Sequence, residues 1–286
     1  MAMWTAPWRD IPPARRWALV WPREHGAWGI LLVSLLTGAA VGASSAPILA
    51  REGWLLTAAV AVFCAHTPIE NVLSPDSPFR PRTTSELHWV TFFAVAFSAI
   101  GGVGLGVVAD RAPVGFYVVG LVTAGILGVQ GVLKRRGRPM RLLAQLTGAL
   151  GLAATAAMAC CVASGRTDRL ALILWAANWL FATNQILYVQ LRIHESRAGN
   201  AKKKLVGKRF FLGSEILTAA GLGAFWRIGL IPAGSLIAFV PALMRGAILP
   251  ILPDGRPLEI RRLGKGELAH ALIFAALLIL SFKIGF

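Results

Sequence analysis

Asn184, Tyr188, Arg192 and Glu195 follow one another at spacings of four, four and three within the stretch NWLFATNQILYVQLRIHESRAGNAKKK. On an α-helix those spacings place all four side chains on one face. A polar face that descends into an apolar helix is costly in lipid unless it meets protein or a water-filled cavity. Two readings follow: a helix-packing stripe that ends in snorkelling cations, or the lining of a cavity, which the run of four favours. Gln190 and His194 lie off the face.

A second constellation sits in HTPIENVLSPDSPFRPR. His66 and Glu70 are an i, i+4 pair, Asn71 stands beside them, and Asp76, Arg80 and Arg82 follow in the loop. Pro68 leaves a carbonyl of its own helix without a donor near the pair. The His–Glu spacing suits a metal, but two ligands do not make a site; a capped helix end with a polar loop is the plainer reading. Glu215 stands about a turn and a half inside a further apolar run, where a carboxylate needs a cation or a proton. An arginine of the preceding loop would meet that need structurally. The run AKKKLVGKR, with Lys202, Lys203 and Lys204, reads either as attraction to anionic headgroups or as an electrostatic clamp for a phosphorylated substrate. Glu267 and His270, an i, i+3 pair opening the last apolar helix, mirror Arg23, Glu24 and His25 at the opening of the first. First and last helices are often neighbours in a closed bundle, so these groups are expected to face one another.

These residues punctuate a strongly apolar chain. Hydrophobic types make up 56% of its 286 residues and mean hydropathy is +0.64. Nine apolar stretches, near 27–44, 53–70, 88–109, 113–133, 142–163, 169–191, 210–226, 228–246 and 267–283, predict an all-α, polytopic membrane protein of about nine transmembrane helices. Residues 1–26 form an interfacial segment and 27–286 a single transmembrane domain. The N-terminus carries no pattern of a cleavable signal.

Of the 29 lysines and arginines, 23 fall in the N-terminal segment and in alternate loops. The positive-inside rule therefore predicts a cytoplasmic N-terminus and an outer C-terminus. Topology thus explains the net charge of +16 without nucleic acid. It does not explain why all five histidines and ten of the thirteen acids sort to the same side. Any chemistry is expected there. No GxxxxGK[ST], GxGxxG, HExxH or CxxCH motif occurs, so nucleotide hydrolysis, dinucleotide binding, zincin chemistry and c-type haem lack sequence support. Cys64, Cys160 and Cys161 lie in apolar stretches and read as core residues.

Three stretches, PREHGAW before the first helix, LYVQLRIHES ending the sixth, and ALMRGAI followed by RRLGKGELAHALIF, resemble the YwiC-like family of bacterial membrane proteins. The resemblance implies an integral protein of the bacterial cytoplasmic membrane and no particular reaction. More distantly, nine helices with polar clusters ending the second and sixth are similar to the UbiA superfamily of intramembrane prenyltransferases. There, aspartate-rich motifs at those places hold an isoprenoid diphosphate through magnesium. QLRIHESRAGN is similar to the LRDxExDxxAGK pattern of that superfamily, with Gln190, Arg192, Glu195, Ala198 and Gly199 matching across a one-residue gap. His194 and the gap replace its aspartates, and His66, Glu70 and Ser74 stand where helix two would carry NxxxDxxxD.

The resemblance implies a UbiA-like bundle with Mg2+ held by Glu70, Asp76 and Glu195. The catalytic set would be Glu70, Glu195, Tyr188 and Asn184. Arg23, Glu24, His25, His66, Asn71, Gln190, Arg192, Lys202, Lys203, Lys204, Glu267 and His270 would bind an isoprenoid or quinone-type substrate. Against this enzyme stands a non-catalytic protein on the same scaffold, for lipid, quinone or solute binding or transport, or for assembly. Bis-histidine haem is a third reading.

Overall fold

The computed structural model describes residues 11–43, 49–74, 77–197, 201–248 and 259–284, without the side chains of residues 25, 49, 197, 201–204, 246, 247 and 260. Among the described residues there are ten α-helices, a 3-10 turn at Arg138–Met140 and no strand. The fold is all-α. Helix α1 spans Pro13–Val20, α2 His25–Gly42, α3 Leu49–Leu73, α4 Thr84–Ala109, α5 Val114–Arg135, α6 Arg141–Ser164, α7 Arg169–Arg197, α8 Ala201–Arg227, α9 Gly234–Ile248 and α10 Ile260–Ile284. Each apolar stretch of the sequence overlaps one of helices α2 to α10, although the stretch 228–246 begins six residues before α9 does.

Among the described residues, six helices are long and apolar enough to cross a membrane: those covering 50–73, 84–109, 114–135, 138–164, 169–196 and 261–284. Two shorter apolar helices cover 26–42 and 234–245. The chain is an integral, multi-pass membrane protein. The basic run after α7 is helical: residues 201–209 form the start of α8, because Ala, Lys, Leu and Arg are all good helix formers.

Helix α1 was not expected from hydropathy, being far shorter than a membrane span. Proline at its first position supplies a preset φ and lacks only an N–H that would be unbonded there. It stops at Trp21, whose extended backbone (φ −92°, ψ 130°) is the conformation required before Pro22.

The chain forms two compact units, one of residues 1–25 and 47–112, the other of residues 26–46 and 113–286. In the first, α3 and α4 pack along their lengths through small residues. A Cβ on Gly104 would lie 3.0 Å from the Trp54 carbonyl oxygen, and one on Gly101 would lie 2.9 Å from Val62. Van der Waals packing of this kind replaces the hydrophobic effect that lipid removes. Helix α1 then covers the ends of α3 and α4. Leu19 and Val20 bury against Val90, flanked by Phe79, Trp89 and Phe93.

Polar bonds fix α1 in place. Arg15 forks onto Glu86, Nε to Oε1 at 2.8 Å and Nη2 to Oε2 at 3.1 Å. The carboxylate holds the Arg15 guanidinium above its ordinary range, so it stays charged at every working pH. Glu86 also accepts the Arg82 N–H at 2.7 Å, while its own N–H is capped by the Thr83 hydroxyl. Trp89 Nε1 donates to the Arg16 carbonyl at 3.2 Å.

In the second unit α6 is the most enclosed helix, with Ala149, Ala153, Ala156, Ala157 and Cys160 all buried. Its small side chains admit α2 at close range: a Cβ on Gly38 would lie 2.1 Å from the Ala156 carbonyl oxygen. Helix α7 borders α6, with Trp175 Nε1 donating to Leu150 O at 2.9 Å and Trp179 Nε1 to Leu146 O at 3.3 Å. Buried Asn178 joins α7 to α2, its Nδ2 donating to the Thr37 hydroxyl at 3.0 Å. Phe181 on α7 stacks on Phe274 of α10 at 4.0 Å, and Phe239 of α9 meets the same ring edge-on. Phe211 of α8 buries against Leu187 and Leu191 of α7, so that four helices, α7 to α10, are gathered around one polar interior.

Candidate functional site in the α7–α10 bundle

Each of these four helices sends a polar or charged group into that interior. Arg245 of α9 is the hub. Its Nη1 donates to Glu267 Oε1 on α10, and its Nη2 donates to Asn184 Oδ1 on α7 at 2.9 Å. The guanidinium carbon lies 4.6 Å above the centre of the Tyr188 ring, a cation–π contact. On its other side the Asn184 amide donates from Nδ2 to Glu215 Oε1 on α8. Asn184 therefore relays between a cation and a carboxylate, each end of the amide used in the only polarity available to it. Gln185 adds a bond from Nε2 to the Glu267 carbonyl at 2.8 Å.

The cluster is enclosed. Asn184 is 3% exposed and Glu215 6%; the Arg245 side chain is 9% exposed and that of Glu267 15%. Three of its atoms are buried without a hydrogen-bond partner among the described residues: Glu215 Oε2, Glu267 Oε2 and Arg245 Nε. Buried polar atoms are nearly always bonded, and each exception calls for a reason. Two carboxylates also face one guanidinium. Ionisable groups placed inside a membrane bundle, paired with one another and left with free valences, are the usual mark of a working site.

A smaller charged group lies farther along the same face of α7. Arg192 Nη1 donates to Glu195 Oε2 at 3.2 Å, and Lys208 Nζ of α8 stands 3.8 Å from Glu195 Oε1. Gln190 bonds Gln145 of α6 at 2.9 Å, away from both groups. The side chains of Lys202, Lys203 and Lys204 lie outside the described residues, on the first turn of α8. His270 donates from Nδ1 to the Gly266 carbonyl at 2.8 Å, since a carbonyl can only accept.

In the first unit His66 Nδ1 and Glu70 Oε2 are 3.6 Å apart on a half-exposed face. Asn71 is buried and both ends of its amide are engaged, Nδ2 donating to Leu19 O at 2.8 Å and Oδ1 accepting from Ser77 Oγ at 2.6 Å. It ties α3 to α1 and to the following loop. Arg23 lies 4.0 Å over the Phe79 ring, and Glu24 is exposed. Asp76 and the side chain of His25 lie outside the described residues. Among those described, no three His, Cys, Asp or Glu side chains gather as a metal site.

The four-residue face thus divides in two: Asn184 and Tyr188 serve the Arg245 cluster, and Arg192 and Glu195 form a separate pair. Glu215 finds its partner in Asn184 rather than in an arginine of the preceding loop. Arg245 is among the 23 basic residues that membrane topology alone accounts for in the sequence. Its place inside the apolar run PALMRGAI, four residues after Pro241, was the available signal.

The chain matches no curated protein and no solved structure. Residues 21–160 match the family model described as YwiC-like protein, a segment that begins at the PREHGAW opening and ends inside α6, before the Arg245 cluster. Over those residues, just under half of its length, the chain is similar to that family.

Proposed function

We propose that this protein binds a small polar solute among α7, α8, α9 and α10 and carries it across the bacterial cytoplasmic membrane, as a non-catalytic binding or transport protein. The observation that carries the reading is Arg245, enclosed among apolar helices and tied to Glu267 and Asn184 with buried valences left over. A purely structural ion pair gains most when every polar atom is satisfied, and is often no better than an apolar contact even then. The free carboxylate oxygens accept donors and Arg245 Nε offers one, a pattern complementary to a solute bearing both an ammonium or hydroxyl group and an acceptor. The distribution of basic residues supports a cytoplasmic N-terminus for this protein.

The test is a thermal-shift screen of the purified protein against amino acids, polyols, organic cations and quinones, followed by uptake into proteoliposomes. A solute should raise the melting temperature of the native protein and leave Arg245→Met unaffected. If nothing in those classes stabilises or enters, the reading fails.

A second reading, a prenyltransferase-like enzyme on a UbiA-like nine-helix scaffold, is favoured by Arg192 and Lys208 flanking one position at the junction of α7 and α8. Two cations there suit a diphosphate held directly, by bidentate fork and by point charge. The described carboxylates do not assemble a magnesium ligand set, so in this reading the phosphate contacts fall to arginine and lysine. Incubation with labelled prenyl diphosphates, magnesium and quinone acceptors tests it; no transfer and no diphosphate binding would end it.

A further inference from the structure

We infer that the α7–α10 cluster holds one exchangeable proton, so that occupancy of the proposed solute site is linked to proton uptake. The inference rests on the solute-binding reading for its use, but not for its geometry. Charge comes first. The groups that face one another are Asn184 and Tyr188 from α7, Glu215 from α8, Arg245 from α9 and Glu267 from α10. Among the described residues, His270 on α10 also stands near, bonded through Nδ1 to its own helix at Gly266. With both carboxylates ionised and the guanidinium charged, the cluster carries one surplus negative charge.

That charge is enclosed, and an uncompensated buried charge is too costly to persist. A positive charge has to join it. An inorganic cation would need several oxygens around one point, whereas here the two carboxylates are held apart by Arg245 and Asn184, one on each side. A proton needs a single oxygen. Glu215 Oε2 and Glu267 Oε2 are both buried and without a donor among the described residues, so each is an open seat for it. The bonded oxygens, both Oε1, keep their donors in either state. Protonation therefore changes the charge without dismantling the network. A solute that brings its own positive charge displaces the proton; one that is neutral or anionic travels with it.

The test reads the proton itself. Infrared difference spectra of the full-length protein, taken while the pH is stepped from about 9 to about 6, above the range in which exposed carboxylates titrate, should show one carboxylic-acid carbonyl band in the native protein. Labelling all glutamates with carbon-13 should shift the band, with no substitution needed. Glu215→Gln or Glu267→Gln should remove it. A titration without the band, or a labelled sample in which it stays in place, overturns the inference. So does loss of the band on adding sodium at constant pH, which would assign the seat to a metal cation. Because the spectra need no solute, this failure is distinct from a failed uptake assay.

Discussion

Asn184 and Arg245 stand 61 positions apart in the chain and are joined by a 2.9 Å hydrogen bond between amide oxygen and guanidinium. That bond makes α7 and α9 partners in one polar cluster, and it connects Glu215 on one side to Glu267 on the other. Removing either residue is therefore not a local change.

Arg245→Met should destabilise the protein by about 3–5 kcal/mol, because it leaves two buried carboxylates without their cation. Adding Glu267→Gln to that variant should restore part of the loss. A double-mutant cycle by thermal unfolding in detergent checks this: simple additivity of the two changes would mean that the pair is not coupled.

Asn71→Ala should cost about 1–3 kcal/mol, since the Leu19 carbonyl and the Ser77 hydroxyl both lose their partner. The loss falls on the docking of α1. Limited trypsin digestion should cut earlier at Arg15, Arg16 and Arg23 in the variant, with no change of rate in the loop after α5.

Gly38→Ala should be severe and Gly125→Ala benign, although both replace a helical glycine by a better helix former. At position 38 the added methyl meets backbone of α6, which cannot swing aside; at 125 nothing lies within 4 Å. Thermal stability in detergent should fall by about 1–3 kcal/mol for the first and stay level or rise for the second. Equal behaviour of the two would show that α2 and α6 are not in close contact.

Orientation can be read with single cysteines placed in a background lacking Cys64, Cys160 and Cys161. Arg111→Cys and Arg166→Cys should react with a membrane-impermeant maleimide in intact cells. Arg80→Cys and Arg136→Cys should react only after the membrane is opened. The reverse pattern would invert the proposed topology.

Much of the fold was written in hydropathy. Runs of apolar residues long enough for a bilayer can form little else, and each overlaps a helix of the structure. Helix α1 escaped because its eight residues make no such run; it is held by partners distant in sequence, Glu86, Asn71 and Trp89. The site was half legible. Asn184 and Tyr188 declared themselves by spacing and Glu267 by its place at a helix start. Arg245 did not, because a cation beside a basic loop has a sufficient explanation in topology alone. Only the meeting of α9 with α7 and α10 separates its role from that of its neighbours. The converse holds for Asn71, whose proximity to His66 and Glu70 suggested ligand binding, while its hydrogen bonds are spent on α1 and on Ser77 of the following loop.

The closeness of Gly38 to Ala156 also has a consequence for biogenesis. Helix α2 leaves the ribosome about 120 residues ahead of the surface it packs against. At roughly 5–20 residues per second it waits some 6–24 s for that surface to be made. Throughout that interval a helix carrying Ser34, Thr37 and the contact-face glycines Gly38 and Gly42 must reside in the translocon or in lipid with its contact face bare. An insertion factor that shelters unfinished helices would find in α2 an early client, and slowing synthesis between α2 and α6 should lengthen their association.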